Sequence, residues 1–258
     1  MWEPIGQAKP GGLCNYGYEM PWAEIVGFHV HRVLGFRNTP YVAGRDVDIA
    51  KEIVPVASPR VSSRILRGTD SEVCIVGKCP FCTKQNRICS HNGIFKASIA
   101  YWIPRHLELY TWHPDYMPWS TPTMQKWQHI GFNNRSYCNE VKQNIEPYTT
   151  DKYYYDLFDF AILDTIMFHY DSKHYILRDS SAANGLTIRI DHGRAFCRYD
   201  VDESELFLAP LFQCCTLRRT TYEKLSHFKT TAVFVQQLQN LLKTDRLPIL
   251  LDIGQGLV

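Results

Sequence analysis

Two aspartates twenty residues apart carry the chemistry that this 258-residue chain could do. Asp171 lies in FHYDSKHY, at the end of a long apolar stretch. Asp191 lies in TIRIDHGRAF, where it follows a short β-type run and opens a D-x-G. That order suits phosphoryl transfer. The first carboxylate would orient or deprotonate an attacking hydroxyl, and the second would hold a metal bridging nucleotide phosphates. Such catalysis is mostly positioning and charge stabilisation, so two well-placed carboxylates and a metal carry much of it. The pair alone is ambiguous, because Asp is also common at helix ends and in D-G turns, where its side chain bonds the backbone.

The elements that must position this pair can be read in outline. Residues 1–20 are Gly/Pro-rich and irregular, and Pro21 then suits a first helical turn. From Ala23, Val26, Val30, Val33 and Leu34 share one helical face, with Glu24, Phe28, His31 and Arg32 on another, and the helix should stop near Gly35. YVAGRDVDIAKEIVPVA reads as strands joined by a turn, and residues 58–92 as a loop-rich segment stapled by cysteines. Trp102, Trp112, Trp119 and Trp127 interleave with Pro104, Pro114, Pro118 and Pro122; the rings could stack on sugars or simply pack an irregular loop. Thr149 to Asp151 supplies caps for a helix to about Tyr170, apolar nearly all round and therefore central. Arg178 to Gly185 reads as a turn and Leu186 to Ile190 as a strand, while Leu206 to Leu225 and Thr231 to Leu242 read as helical. The organisation is a small mixed piece, residues 1–55, followed by a helix-rich body, residues 56–258.

Lys plus Arg is 28 against 26 Asp plus Glu, a net charge of +2 that gives no case for a nucleic-acid binder. No stretch suits a membrane span, since Tyr153 to Tyr170 is broken by Asp156, Asp159 and Asp164. MWEPIGQAKPGG has neither the charged nor the apolar region of a secretory signal. Nine cysteines are many for a cytosolic protein. Cys74, Cys79, Cys82 and Cys89 have one C-x-x-C but not the second that a zinc site would want, even with His91 nearby, so disulfides are favoured over zinc. Cys214 and Cys215 are adjacent and cannot easily pair with each other; Cys138 is a candidate partner. Disulfides imply the secretory lumen or the cell exterior. Asn134-Arg135-Ser136 is a glycosylation sequon.

LFDFAILDTIMFHYDSKHY, IRIDHGRAF and LAPLFQCCTLRRTTYEKL, in that order, resemble the C-terminal kinase domain of the Golgi casein kinase and glycosaminoglycan xylosylkinase family of secretory-pathway kinases. AEIVGFHVHRVLGF, PYVAGRDVDIAKEI, the cysteine cluster and SYCNEVKQNIEPY resemble it as well, so the resemblance runs from about Glu19 to about Leu225. It implies an α+β, atypical protein-kinase-like two-lobed fold, with an incomplete N-lobe and a C-lobe mostly helical and disulfide-stapled. Asp171 matches the catalytic Asp and Asp191 the metal-binding Asp. Glu19 matches the N-lobe Glu that helps hold metal and phosphates. Glu24, a second acidic position on the same helix, and His174 support the nucleotide and active site. The implied metal is Mn²⁺, with Mg²⁺ as a substitute, and ATP is the co-substrate. The family pattern pairs Cys74 with Cys89, Cys79 with Cys82, and Cys138 with one of Cys214 and Cys215. The two-residue gap between Cys79 and Cys82 is similar to the xylosylkinase branch. That implies the 2-hydroxyl of a xylose in a proteoglycan linkage glycan as acceptor, in the Golgi lumen or outside the cell. The alternatives are a kinase acting on serine of a secreted protein, and a pseudokinase that binds and regulates an active paralogue; a homo- or hetero-dimer with a paralogue is a further expected partner.

The sequence also departs from that pattern. The family's glycine-rich loop and nucleotide lysine have no counterpart here; neither Lys9 nor Lys51 sits at the matching place. The C-terminal helices end early, in LLDIGQGLV. The family's Gly-Asn ahead of the catalytic Asp is Phe168-His169 here, its following Arg is Ser172, a family Asp is His31, and the Asn of D-N is His192. These departures set two expectations side by side, a fragment of a longer kinase and a diverged pseudokinase.

Overall fold

The computed structural model describes residues 2–4, 21–68, 72–78, 87–90, 92–102, 107–111, 135–146, 148–169, 173–179, 186–196 and 210–245. Helix α1, Pro21–Leu34, runs as its apolar spacing predicts, and Gly35 closes it at φ 67°, a conformation that costs glycine nothing. One face of α1, with Ala23, Val26, Val30 and Leu34, packs in the main core with Phe160, Leu163 and Met167.

Next to α1 lies an antiparallel three-stranded sheet ordered β1 (Trp2–Pro4), β6 (Ile94–Ala100), β2 (Val42–Asp48). Its strands come from both sides of residue 55. β1 corrects the irregular reading of the N-terminus, since Trp2, Glu3 and Pro4 pair with Ile99, Ser98 and Ala97. The YVAGRDVDIAKEIVPVA segment is a strand only in its first half. After Asp48 it turns into one π-helical turn, Ile49–Ile53, and a 3₁₀ turn, Val54–Val56. The Asp48 carboxylate accepts the Lys51 amide, Glu52 reaches back to the Asp48 amide, and Pro55 has no N–H to give a ladder.

The cysteine-rich stretch carries more regular structure than predicted. A four-residue helix α2 (Pro59–Ser62) leads into β3 (Ile65–Arg67), which pairs with β4 (Val73–Ile75) and through it with β5 (Ile88–Cys89). Cys74 and Cys89 face each other across that ladder and form the disulfide the family pattern implies. Cys79 and Cys82 lie outside the described residues.

The second lobe combines helices with a third sheet, β7 (Leu107–Thr111), β8 (Lys173–Asp179) and β9 (Leu186–Ile190), in that order. β8 takes in Arg178 and Asp179, which the sequence placed in a turn. Helix α3 (Arg135–Asn144) is tied by the Cys138–Cys214 disulfide to the segment before α5 (Arg219–His227). Helix α4 (Asp151–Met167) is central as predicted, with both its polar and apolar sides buried. It stops three residues short of Tyr170, because Phe168 turns left-handed at φ 48° and its amide closes the last turn. The expected helix from Leu206 is interrupted by Cys215 at φ 47°, and α5 begins only at Arg219; residues 206–209 lie outside the described set. Helix α6 (Thr231–Leu242) has the predicted bounds and lies on α1, where Asp245 accepts the Gly44 amide at 2.8 Å and contacts the buried His29 at 3.4 Å. Among the described residues no helix is long and apolar enough to cross a membrane.

Candidate active site

Three elements converge on the D-x-G segment: the first turn of α1, the end of α4, and β9. Asp191 follows β9 directly, half-buried, at φ 68°, a region that Asp tolerates better than most residues. Its carbonyl lies 3.1 Å from His169 Nε2, and a tight turn follows in which the Ala195 amide donates to His192. The Phe196 amide then donates to the Met167 carbonyl at 2.6 Å, so this turn sits on the C-terminal end of α4. The sequence's two motifs are thereby brought together. The chain leaving α4 towards Asp171 and the chain leaving Asp191 are joined by two polar contacts. Asp171 itself, like Glu19 and Asn134, lies outside the described residues.

Glu24, to which the resemblance assigns nucleotide and active-site support, contacts the D-x-G segment. Its Oε1 accepts the Gly193 amide at 3.0 Å, which couples α1 to the D-x-G segment. Three residues further along the helix, Gly27 gives room for His192: a Cβ there would stand 2.9 Å from the imidazole ring. His174 is on β8, in register with Arg189.

Sequence reasoning missed what holds β9. Asp164 on α4 and Arg189 on β9 form an ion pair whose side chains are 1 % and 0 % exposed, and the guanidinium carbon lies 4.7 Å from the Phe160 ring centroid. Thr187 donates to Asp156 from the same strand. The Asp156 and Asp159 carboxylates are in turn bridged by Arg218, which also donates to the Lys152 carbonyl at 2.6 Å, and Thr221 donates to Asp159 at 2.6 Å. Burial raises the Asp159 carboxyl, with the Thr221 bond and Arg218 pulling the other way. A signal was available: a lone Arg in an apolar β-run, and three Asp in a helix apolar on every side, ask for buried partners.

Behind Asp191 three of the departures from the family pattern meet. His31 and His192 have ring centroids 5.3 Å apart, and His169 and His192 are 5.5 Å apart. All three rings are buried. Burial, and then the charges of Arg189 and His169, push His31 down to about 3. His192 is pushed well down by burial first and by the neighbouring His31, His169 and Arg189 after it. Burial lowers Arg189 to about 9, still protonated at neutral pH against Asp164. The Asp191 carboxylate at this turn is an oxygen donor, a ligand type that fits Mn²⁺ or Mg²⁺.

A helix whose Glu bonds the D-x-G segment, beside a small antiparallel sheet and a lobe of buried helices, defines a kinase-like fold. Within that class the chain belongs to the Golgi casein kinase family, described as "Golgi casein kinase, C-terminal, Fam20", whose profile matches residues 1–253. It is 30% identical over 238 residues to human glycosaminoglycan xylosylkinase, covering 92% of this chain and 56% of that protein. It is equally 30% identical to mouse pseudokinase FAM20A, over 230 residues that make up 87% of this chain and 41% of the relative. Among solved structures it resembles the Golgi casein kinase with Mn/ADP bound, with a TM-score of 0.78 at 25% identity over 95% of this chain and 60% of that one. The chain thus spans about half the length of the curated relatives it matches.

Proposed function

We propose that this chain is a metal-dependent phosphotransferase of the secretory pathway, moving the γ-phosphate of ATP to a hydroxyl of xylose in the linkage glycan of a proteoglycan. The observation that carries the reading is the Glu24–Gly193 bond, because it couples the N-lobe helix to the segment that presents Asp191. The similarity to human glycosaminoglycan xylosylkinase supports the sugar acceptor. The metal, when bound, would neutralise charge between the β- and γ-phosphates. Asp191 would hold it with Glu19, His169 would fix the Asp191 backbone, and Asp171 would orient or deprotonate the attacking hydroxyl. The two disulfides favour an oxidising compartment, consistent with the Golgi lumen.

A second reading, a pseudokinase that regulates an active paralogue, rests on Phe168. It sits left-handed at φ 48°, where the family's glycine would be unstrained, at the entry to the segment bearing Asp171. One pair of measurements separates the readings. Mn-ATP should raise the melting temperature of the chain but not that of Asp191→Ala, and label from γ-phosphate should then appear on a xylose-containing linkage oligosaccharide. Stabilisation without transfer to sugar or to a serine peptide would select the pseudokinase. Stabilisation retained in Asp191→Ala would overturn the metal assignment.

A further inference from the structure

The near-neutral charge of the whole chain hides a local excess. Residues 58–96 hold seven Lys and Arg against Asp70 and Glu72, a net +5, whereas the remaining residues hold 21 basic against 24 acidic side chains. No Asp or Glu occurs between Glu52 and Asp70, or between Glu72 and Glu108. The fold gathers these cations further. β3 starts, β4 ends and β5 starts at one and the same end of their antiparallel sheet. Arg64 precedes β3, Lys78 follows β4, Arg87 precedes β5, and Arg60 on α2 lies just ahead of Arg64. Arg60, Lys78 and Arg87 are exposed and Arg64 is half-buried. The acidic Glu72 stands at the opposite end, beside Gly68. Among the described residues the side chains of Arg60, Arg64 and Lys78 form no ion pair, in contrast to Arg45, Lys51, Lys142, Arg189, Arg218 and Arg219, each of which has a carboxylate.

We infer that this end of the disulfide-stapled sheet is a docking surface for an anionic saccharide chain, one bearing carboxylate or sulfate groups. Three guanidinium groups with a lysine match such groups well, since the planar fork pairs two oxygens at once. The compartment narrows the polyanion. A disulfide across β4 and β5 belongs to an oxidising space, where nucleic acid is not the resident polyanion. The strongly negative membrane leaflet faces the cytoplasm. The surface itself does not depend on phosphotransfer or on the acceptor reading.

Calorimetric titration of the full chain with a size-defined heparin oligosaccharide, without nucleotide, tests the inference. Binding should weaken as salt rises. It should fall at least tenfold in an Arg60→Ser, Arg64→Ser, Lys78→Ser, Arg87→Ser variant. A control with the same charge change elsewhere, Arg135→Ser, Arg219→Ser, Lys229→Ser, Lys243→Ser, should change affinity less than twofold. If the first variant melts early, Arg60→Ser with Lys78→Ser, both on exposed side chains, should still lose at least threefold. No binding, equal loss in the control, or tighter binding of polyglutamate or phosphatidylserine vesicles would overturn the inference. Because Asp191 is untouched, Mn-ATP stabilisation should be the same in all variants, so this test and that of the kinase reading fail separately.

Discussion

Asp164 and Arg189 leave water together, and the strand that ends in Asp191 is held by that pair. Taking two charges into the interior is expensive, and their attraction offsets the cost only while both are present. Arg189→Met should therefore destabilise the chain by about 3–5 kcal/mol, because it strands a buried carboxylate. Adding Asp164→Leu to Arg189→Met should recover most of that loss, as apolar packing against Phe160 replaces the pair. Urea denaturation of the three proteins checks this, and a double variant as unstable as the single one would show that the pair is not the source. At this scale the sequence was legible where a motif spoke, as for the turn that Asp191 opens after β9 and for the Cys74–Cys89 pair. It was not legible for Arg189, whose partner is 25 positions away on another element. His31, His169 and His192 could each be seen as a departure from the family pattern, but their contact with one another exists only in the fold.

Helix ends show a similar division. The bounds of α6 and the close of α1 at Gly35 follow from apolar spacing and a glycine stop. The break at Cys215 does not, because nothing in LFQCCTLRR marks a left-handed residue. It adopts φ 47°, and its amide closes the preceding turn on the Leu211 carbonyl. Glycine occupies such positions at no steric cost, while other L-residues carry roughly 1 kcal/mol of strain there. Cys215 is exposed and has no disulfide, so little packing opposes its replacement. Cys215→Gly should stabilise the chain by about 1 kcal/mol in urea denaturation, and a loss instead would place a structural role on the thiol. β1 and the π-helical turn after β2 escaped for another reason. A three-residue strand has no period to detect, and the turn depends on Asp48 and Glu52 serving the backbone instead of a strand face.

For the molecule as a whole, His31 and His192, packed behind the D-x-G segment, tie stability to pH. His31 has an ordinary value of 6.5 and is held near 3 in the fold, and His192 moves in the same direction. Between those values the unfolded chain binds more protons than the folded one. The stability from keeping His31 neutral is therefore complete above about 6.5 and drains away as pH falls towards 3. Each such histidine should steepen the loss by about 1.4 kcal/mol per pH unit in that window. Asp159, raised by burial from 3.8, acts in the opposite sense, since acidification through its folded value favours the fold. The histidines outnumber it and begin to act at higher pH, so the net slope should be a loss on acidification from neutrality. His31→Gln, uncharged at every pH, should flatten the stability curve between about pH 6 and pH 4 by about 1.4 kcal/mol per unit relative to the unsubstituted chain. Denaturant midpoints across that range measure it. Parallel curves would mean that His31 is not held neutral by burial, and that the cluster behind Asp191 reaches solvent when the chain is acidified.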